Sequence, residues 1–155
     1  MQRFKHIVAP TDLSSESLST VSFAAHLAKA QGAKLTVLHV PHSLPVAYTD
    51  LAPPVTMVDI DRAIEKAATE QLERWAARHL RKIPRVTTLV RRGDTDAVIC
   101  QVAAQVGASV IVMATHGRKG LGHVVLGSVT ERVLRDAPCP VLVVRPPKPT
   151  VVVSR

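Results

Sequence analysis

The residue types best suited to chemistry crowd into one stretch, Ala114-Thr115-His116-Gly117-Arg118-Lys119-Gly120-Leu121-Gly122-His123-Val124-Val125-Leu126-Gly127-Ser128. Gly117, Gly120 and Gly122 carry no side chain, so main-chain N–H groups can close on an anion there. Arg118 and Lys119 add positive charge. Gly127 and Ser128 then open a helical pattern, whose free N–H groups and positive dipole end favour phosphate. The hydroxyls of Ser128 and Thr130 can add donors. A flexible turn followed by an ordinary Gly-Ser helix start has the same composition, and both readings stand at this point. The stretch is not a GxxxxGK[ST] phosphate loop, and its glycines run in the opposite order from the GxGxxG dinucleotide fingerprint.

A second candidate group is Pro10-Thr11-Asp12-Leu13-Ser14. The Asp12 carboxylate suits a ribose hydroxyl or a Mg²⁺ ion beside phosphates, and it suits a turn or cap equally well. Main-chain groups near Val40 could read an adenine edge. His39 and His42 form an HxxH, but Pro41 between them breaks the helix that would put both on one face, so a metal pair is disfavoured. His116 either contacts phosphate or packs. Trp75 sits at helical spacing and reads as core. Cys100 and Cys139 make no CxxC, which leaves a metal knuckle or a disulfide framework unsupported. Cys100 falls in an apolar helical pattern and reads as a small core residue.

The elements that must position these groups alternate along the chain. Phe4 to Pro10 reads as a strand. Ser14 caps a helix with Leu18, Val21, Ala25 and Ala28 on its apolar face, and Gly32 stops it. Lys34 to Val40 is a second strand. A proline-rich connection, Pro41 to Met57, leads to a long helix over Asp59 to Lys82, with Ile60, Ile64, Ala68, Leu72, Trp75 and Ala76 apolar. Arg85 to Arg91 is a third strand. Gly93 and Asp94 open a helix with Val98, Ile99, Val102, Ala103 and Val106 inward. Ser109 to Ala114 is a fourth strand, Gly127 to Asp136 a fourth helix, and Val141 to Val144 a fifth strand before a tail from Pro146 to Arg155. Strands separated by helices imply right-handed crossovers and a mostly parallel sheet. Ligands of such sheets lie beyond the carboxyl ends of the strands, where the strand order reverses. The two candidate loops follow the first and fourth strands.

Composition narrows the choices. The 155 residues are 46% apolar and 3% aromatic, so one core of Val, Leu, Ile and Ala is expected. The formal charge of +8 attracts polyanions or serves solubility. The cations are scattered, several on the long helix, and with one Trp, one Tyr and two Phe a stacking nucleic-acid surface is disfavoured. No apolar run approaches membrane-spanning length, and the first residues lack a signal-peptide core, so a cytoplasmic protein is expected.

The segment Val110 to Pro146, VIVMATHGRKGLGHVVLGSVTERVLRDAPCPVLVVRP, resembles the universal stress protein family, as do IVAPTDLS at Ile7–Ser14 and the Leu-His-Val end of the second strand. The resemblance covers nearly the whole chain: a family domain over 1–146 and a tail over 147–155. It implies a three-layer, Rossmann-like α/β fold around a five-stranded parallel sheet in the order 3-2-1-4-5. ATP-binding members carry G-x₂-G-x₉-G-[ST]. Here Gly117, nine further residues and Gly127-Ser128 match, while Ala114 stands at the first glycine. By this resemblance Pro10, Thr11, Asp12 and Val40 face adenine and ribose, with Mg²⁺ at Asp12. Thr115, His116, Gly117, Arg118, Gly120, Gly127, Ser128, Val129 and Thr130 surround the phosphates, and Ala114 is a further nucleotide contact whose methyl could crowd the ribose. A homodimer through Val141, Leu142, Val143 and Val144 is also implied, with Val151–Val153 as a further contact.

The expected function is a stress-response regulator that binds ATP and hydrolyses it slowly or not at all; the alternative is a member that has lost the nucleotide and acts as a dimeric interaction module. Related enzymes are disfavoured because PTDLS stands where nucleotidyl transferases have HxGH and ATP pyrophosphatases SGGxDS. A phospho-acceptor receiver would pair two acids after the first strand and place a lysine after the fifth; here Asp12 is alone and Arg145 follows the fifth strand.

Overall fold

A computed structural model describes residues 3–41, 57–115 and 126–145. The elements run β1 (His6–Thr11), α1 (Ser15–Gln31), β2 (Lys34–His39), α2 (Met57–His79), β3 (Val86–Val90), α3 (Thr95–Gln105), β4 (Val110–Ala114), α4 (Ser128–Asp136) and β5 (Val141–Val144). The five strands form one parallel sheet in the order β3-β2-β1-β4-β5. From β1 the chain steps outward to β2 and β3, then crosses back to β4 and β5. Because each crossover is right-handed, reversing direction moves the helices to the other face.

The core follows from the two-residue period of the strands. Ile7, Ala9, Leu35, Val37, Val110 and Val112 point to one face, where they pack with Val21, Ala24, Ala25 and Ala28 of α1 and Ala68 and Leu72 of α2. Val8, Leu38, Ile111 and Met113 point to the other, against Val98, Ile99, Val102 and Ala103 of α3 and Val133 of α4. The result is three layers. Residues 7–9 and 110–113 are buried without a break, as expected of central strands covered on both sides.

Several local expectations shift. On α1 the buried stripe is Ser17, Thr20, Val21, Ala24, Ala25 and Ala28. Leu18 is only half-buried, because small residues let the helix lie close to the sheet and leave the larger side chain at its flank. Arg85 does not begin β3: its φ of 58° is left-handed and incompatible with a strand. Gly32, at φ 66°, does close α1, its N–H reaching the carbonyls of Ala28 and Lys29. Cys100 is half-buried at the margin of the second core. The proline-rich stretch 42–56, the loop 116–125 and the tail 146–155 lie outside the described residues. Among the described residues, no helix is long and apolar enough to cross a membrane.

Candidate functional site

The site is assembled where β1 and β4 end side by side. Their pairing, Ile7↔Val110 and Val8↔Ile111, stops well before the end of β1, whereas β1 remains paired with β2 through Thr11↔His39. Pro10 lies past the last β1–β4 pair and has no N–H to offer a ladder. This is the reversal point of the strand order, the place where open α/β sheets leave a crevice.

On the β1 side, hydroxyls fix the turn. Asp12 Oδ1 accepts from both the N–H (3.0 Å) and the Oγ–H of Ser14. Ser14 Oγ in turn accepts the N–H of Ser17 at 3.2 Å and so caps α1. Thr11 Oγ1 accepts the N–H of Leu13 at 3.0 Å and is 2.9 Å from Ser17 Oγ. Leu13 takes a left-handed φ of 64° inside this knot. From the neighbouring strand, His39 Nδ1 donates to the Thr11 carbonyl at 2.8 Å, which fixes its tautomer. Asp12 is therefore an anchored carboxylate at the crevice rim. Thr11 and Val40 are buried within the fold, at 6% and 7% exposure.

On the β4 side, Thr115 is a pivot. Its N–H donates to the Val144 carbonyl at 3.1 Å, and its carbonyl accepts from Gly127 at 2.8 Å. The glycine-bearing loop thus leaves and returns at one point. Thr130 is buried, and its Oγ1 donates to the Ala114 carbonyl at 3.0 Å, tying α4 to the end of β4. That hydroxyl, expected from the sequence as a phosphate donor, serves as a strut instead. Val129 packs against the second core. Ser128 is exposed at the first position of α4.

The start of α4 carries the main chemical potential of the site. Gly127 is its N-cap and supplies no side-chain cap, and the first intrahelical bond is from Glu131 N–H to the Gly127 carbonyl at 3.0 Å. Among the described residues, no acceptor takes the N–H of Ser128, Val129 or Thr130. Such amides, with the helix dipole behind them, favour an anion. Gly127 itself sits at φ −62°, ψ 145°, which any residue adopts, so the backbone does not demand glycine there.

His116, Gly117, Arg118 and Gly120 lie outside the described residues. Of the sequence candidates the fold brings Pro10, Thr11, Asp12, Ala114, Thr115, Gly127, Ser128, Val129 and Thr130 to the carboxyl edge of β1 and β4, with Val40 one strand away beyond β2. Ser17 was not legible as part of the site; its role comes from a hydroxyl contact that has no signature in spacing. Among the described residues no group of three His, Cys, Asp or Glu side chains gathers as a metal site.

The chain matches the model of the universal stress protein family over residues 3–145. It is 34% identical to a universal stress protein of Thermus aquaticus over 142 residues, covering 92% of this chain and 99% of that one. It is 33% identical to universal stress protein A homolog 1 of Coxiella burnetii, covering 91% and 96%. Among solved structures it superposes on the universal stress protein UspA from Lactobacillus plantarum with a TM-score of 0.70 at 28% identity, covering 94% of this chain and 100% of that one. A universal stress protein solved in complex with cAMP is similar in fold, with a TM-score of 0.60 at 22% identity and coverage of 92% and 98%. The order of the strands, the match along nearly the whole described chain and these relatives together make this chain a member of the universal stress protein family.

Proposed function

We propose that this protein binds an adenine nucleotide, ATP by preference, in the crevice between β1 and β4, and acts as a regulator with little or no turnover. The observation that carries this is the trio of amides at Ser128, Val129 and Thr130 that no acceptor takes among the described residues, fronted by a glycine that the backbone does not require. In this arrangement the phosphates sit against the start of α4, and His116, Gly117, Arg118 and Gly120, which lie outside the described residues, are proposed as further contacts. The fold is known to admit an adenine nucleotide, since one relative of the same architecture was solved with cAMP.

Adenine and ribose then fall to the β1–β2 side, near Pro10, Thr11, Asp12 and Val40. Thr11 and Val40 would act through main-chain groups, because their side chains are buried. The donor set also bears on Mg²⁺. Asp12 offers one carboxylate already bonded through Oδ1 to Ser14, which suits an ion held mostly by phosphate oxygens and water. The Ser14 hydroxyl on Asp12 is tied up in capping α1, and rapid hydrolysis is not part of the proposal. The protein is assigned to the cytoplasm, where free half-buried thiols such as Cys100 and Cys139 persist.

Equilibrium dialysis with labelled ATP tests this. Saturable binding is expected, and Gly127→Val should weaken it at least tenfold by filling the space before the helix. Asp12→Ala should weaken Mg-ATP more than free ATP; equal losses assign Asp12 to the ribose. Absence of saturable binding at millimolar ATP overturns the proposal.

A dimeric interaction module is a second reading, favoured by β5, which ends the sheet with an apolar Val141-Leu142-Val143-Val144 strand. Its open main-chain groups suit antiparallel pairing with a second copy.

A further inference from the structure

At the opposite end of the strands lies a different feature. The residues just before or at the start of β1, β2 and β3 surround an open cleft of about 390 Å³. Arg3, Lys5, Lys34 and Arg85 line it, Phe4 forms part of its wall, and among the described residues no carboxylate does. Among the described residues, none of these four cations belongs to an ion pair. They come from three separate segments of the chain, so their convergence is a product of the fold and not of a basic run in the sequence.

We infer that this cleft is a second anion site, which takes a compact chain of linked phosphates.

Three observations support a built site. First, the cations are held at their roots. Lys34 N–H donates to the Lys5 carbonyl and Leu35 N–H to the Arg85 carbonyl, both at 3.0 Å, while Lys5 N–H donates to Ser109 Oγ at 2.9 Å. Neighbouring strands are about 4.8 Å apart, so Lys5, Lys34 and Arg85 span a row of about 10 Å across three strands. That length suits several linked charges better than a single small anion.

Second, Arg85 is in the left-handed region at φ 58°, a conformation that glycine or asparagine adopts more readily. The turn into β3 nevertheless carries an arginine, and its guanidinium donates to the Gly32 carbonyl at 3.2 Å. One end of the fork is thereby fixed beside Lys34 while other N–H groups remain for a ligand. Third, four like charges that share one cleft repel one another, and a polyanion relieves that repulsion.

The N–H groups of Lys5 and Lys34 are spent on Ser109 Oγ and the Lys5 carbonyl, so recognition rests mainly on side-chain charge. That sets it apart from the α4 site, where amides are the donors. The two sites are separated by the length of β1, about 20 Å for its six residues. A bound polyphosphate here would leave the nucleotide crevice open.

Isothermal titration with inorganic tripolyphosphate at low salt tests the inference, in the Gly127→Val background so that the α4 site does not contribute. Binding should persist there, and Lys34→Glu or Arg85→Gln should each weaken it at least tenfold with the melting temperature and circular dichroism monitored for folding. Because the cations are exposed, raising ionic strength from about 0.1 M to 1 M, where the Debye length falls from about 10 to 3 Å, should also weaken it strongly. On the unaltered chain, amide NMR shifts supply an independent readout: Lys5, Lys34 and Arg85 should move with tripolyphosphate at concentrations where orthophosphate moves them little. Four results overturn the inference: no binding, binding indifferent to both substitutions, equal response to orthophosphate, or tighter binding of anionic vesicles or single-stranded oligonucleotide through the same cations. Loss of ATP binding in Gly127→Val with tripolyphosphate binding retained separates this site from the nucleotide proposal, and either can fail alone.

Discussion

Single side chains set the geometry at both ends of β1. Ser14 links two functions, since its Oγ caps α1 through Ser17 while its own N–H and Oγ–H hold Asp12. Ser14→Ala should lower stability by about 1 kcal/mol, the usual value of such a cap, as read from the urea midpoint. At the other end, His6 Nε2 lies 2.8 Å from Thr36 Oγ1. Burial holds its pKa below the ordinary 6.5, with Lys34 adding in the same direction against an opposing bond to the Val106 carbonyl. The unfolded chain therefore takes up this proton first. Stability contributed by neutral His6 is lost as pH falls from 6.5 through the lower folded value. Urea titrations across that window should show a shallower pH slope for His6→Gln than for the unaltered chain; equal slopes would remove His6 as the source.

Gly93, before α3, has φ 131°, and a Cβ there would meet Val98 Cγ2 at 2.9 Å. Val98 is buried in the second core, so it cannot swing away. Gly93→Ala should therefore cost about 1–3 kcal/mol through backbone strain and overpacking together, measurable by thermal or chemical denaturation. On α4 the equivalent leverage lies in Thr130, which bridges to Ala114, and in Arg132, whose guanidinium is 3.4 Å from Asp96 on α3. These contacts orient the helix start toward the crevice.

At the scale of the molecule, the order β3-β2-β1-β4-β5 separates two basic or amide-rich regions to opposite ends of one sheet and leaves β5 at an edge. The carbonyls of Pro140 and Val144 accept from Ile111 and Thr115, so the even-numbered residues of β5 turn their main chain toward β4. Val141 and Val143 turn theirs outward, by the alternation of a parallel strand. Val143→Pro removes an outward N–H while sparing the β4 ladder. If a second copy pairs along this edge, sedimentation equilibrium should show the dimer weakened at least tenfold with circular dichroism unchanged. An unaffected dimer would move the interface elsewhere.

The amino-acid order alone was enough to establish the alternation of strand and helix, the cap at Ser14, the stop at Gly32 and the helix start at Gly127-Ser128. Each of these is written in neighbouring residues, through periodicity or local capping. The Gly127-Ser128 end of the motif lies beside Thr115, at the carboxyl end of β4. Only the tertiary structure decided which hydroxyls are spent on the fold. Thr130 looks like a phosphate donor in the sequence and is a strut in space; Ser17 looks like nothing and supports the β1 turn. It also decided that Arg3, Lys5, Lys34 and Arg85 meet in one cleft. These outcomes depend on contacts such as Ser109 Oγ to His6, which lie 103 residues apart. No local pattern encodes such a contact, because it forms only when the crossovers bring distant strand ends together.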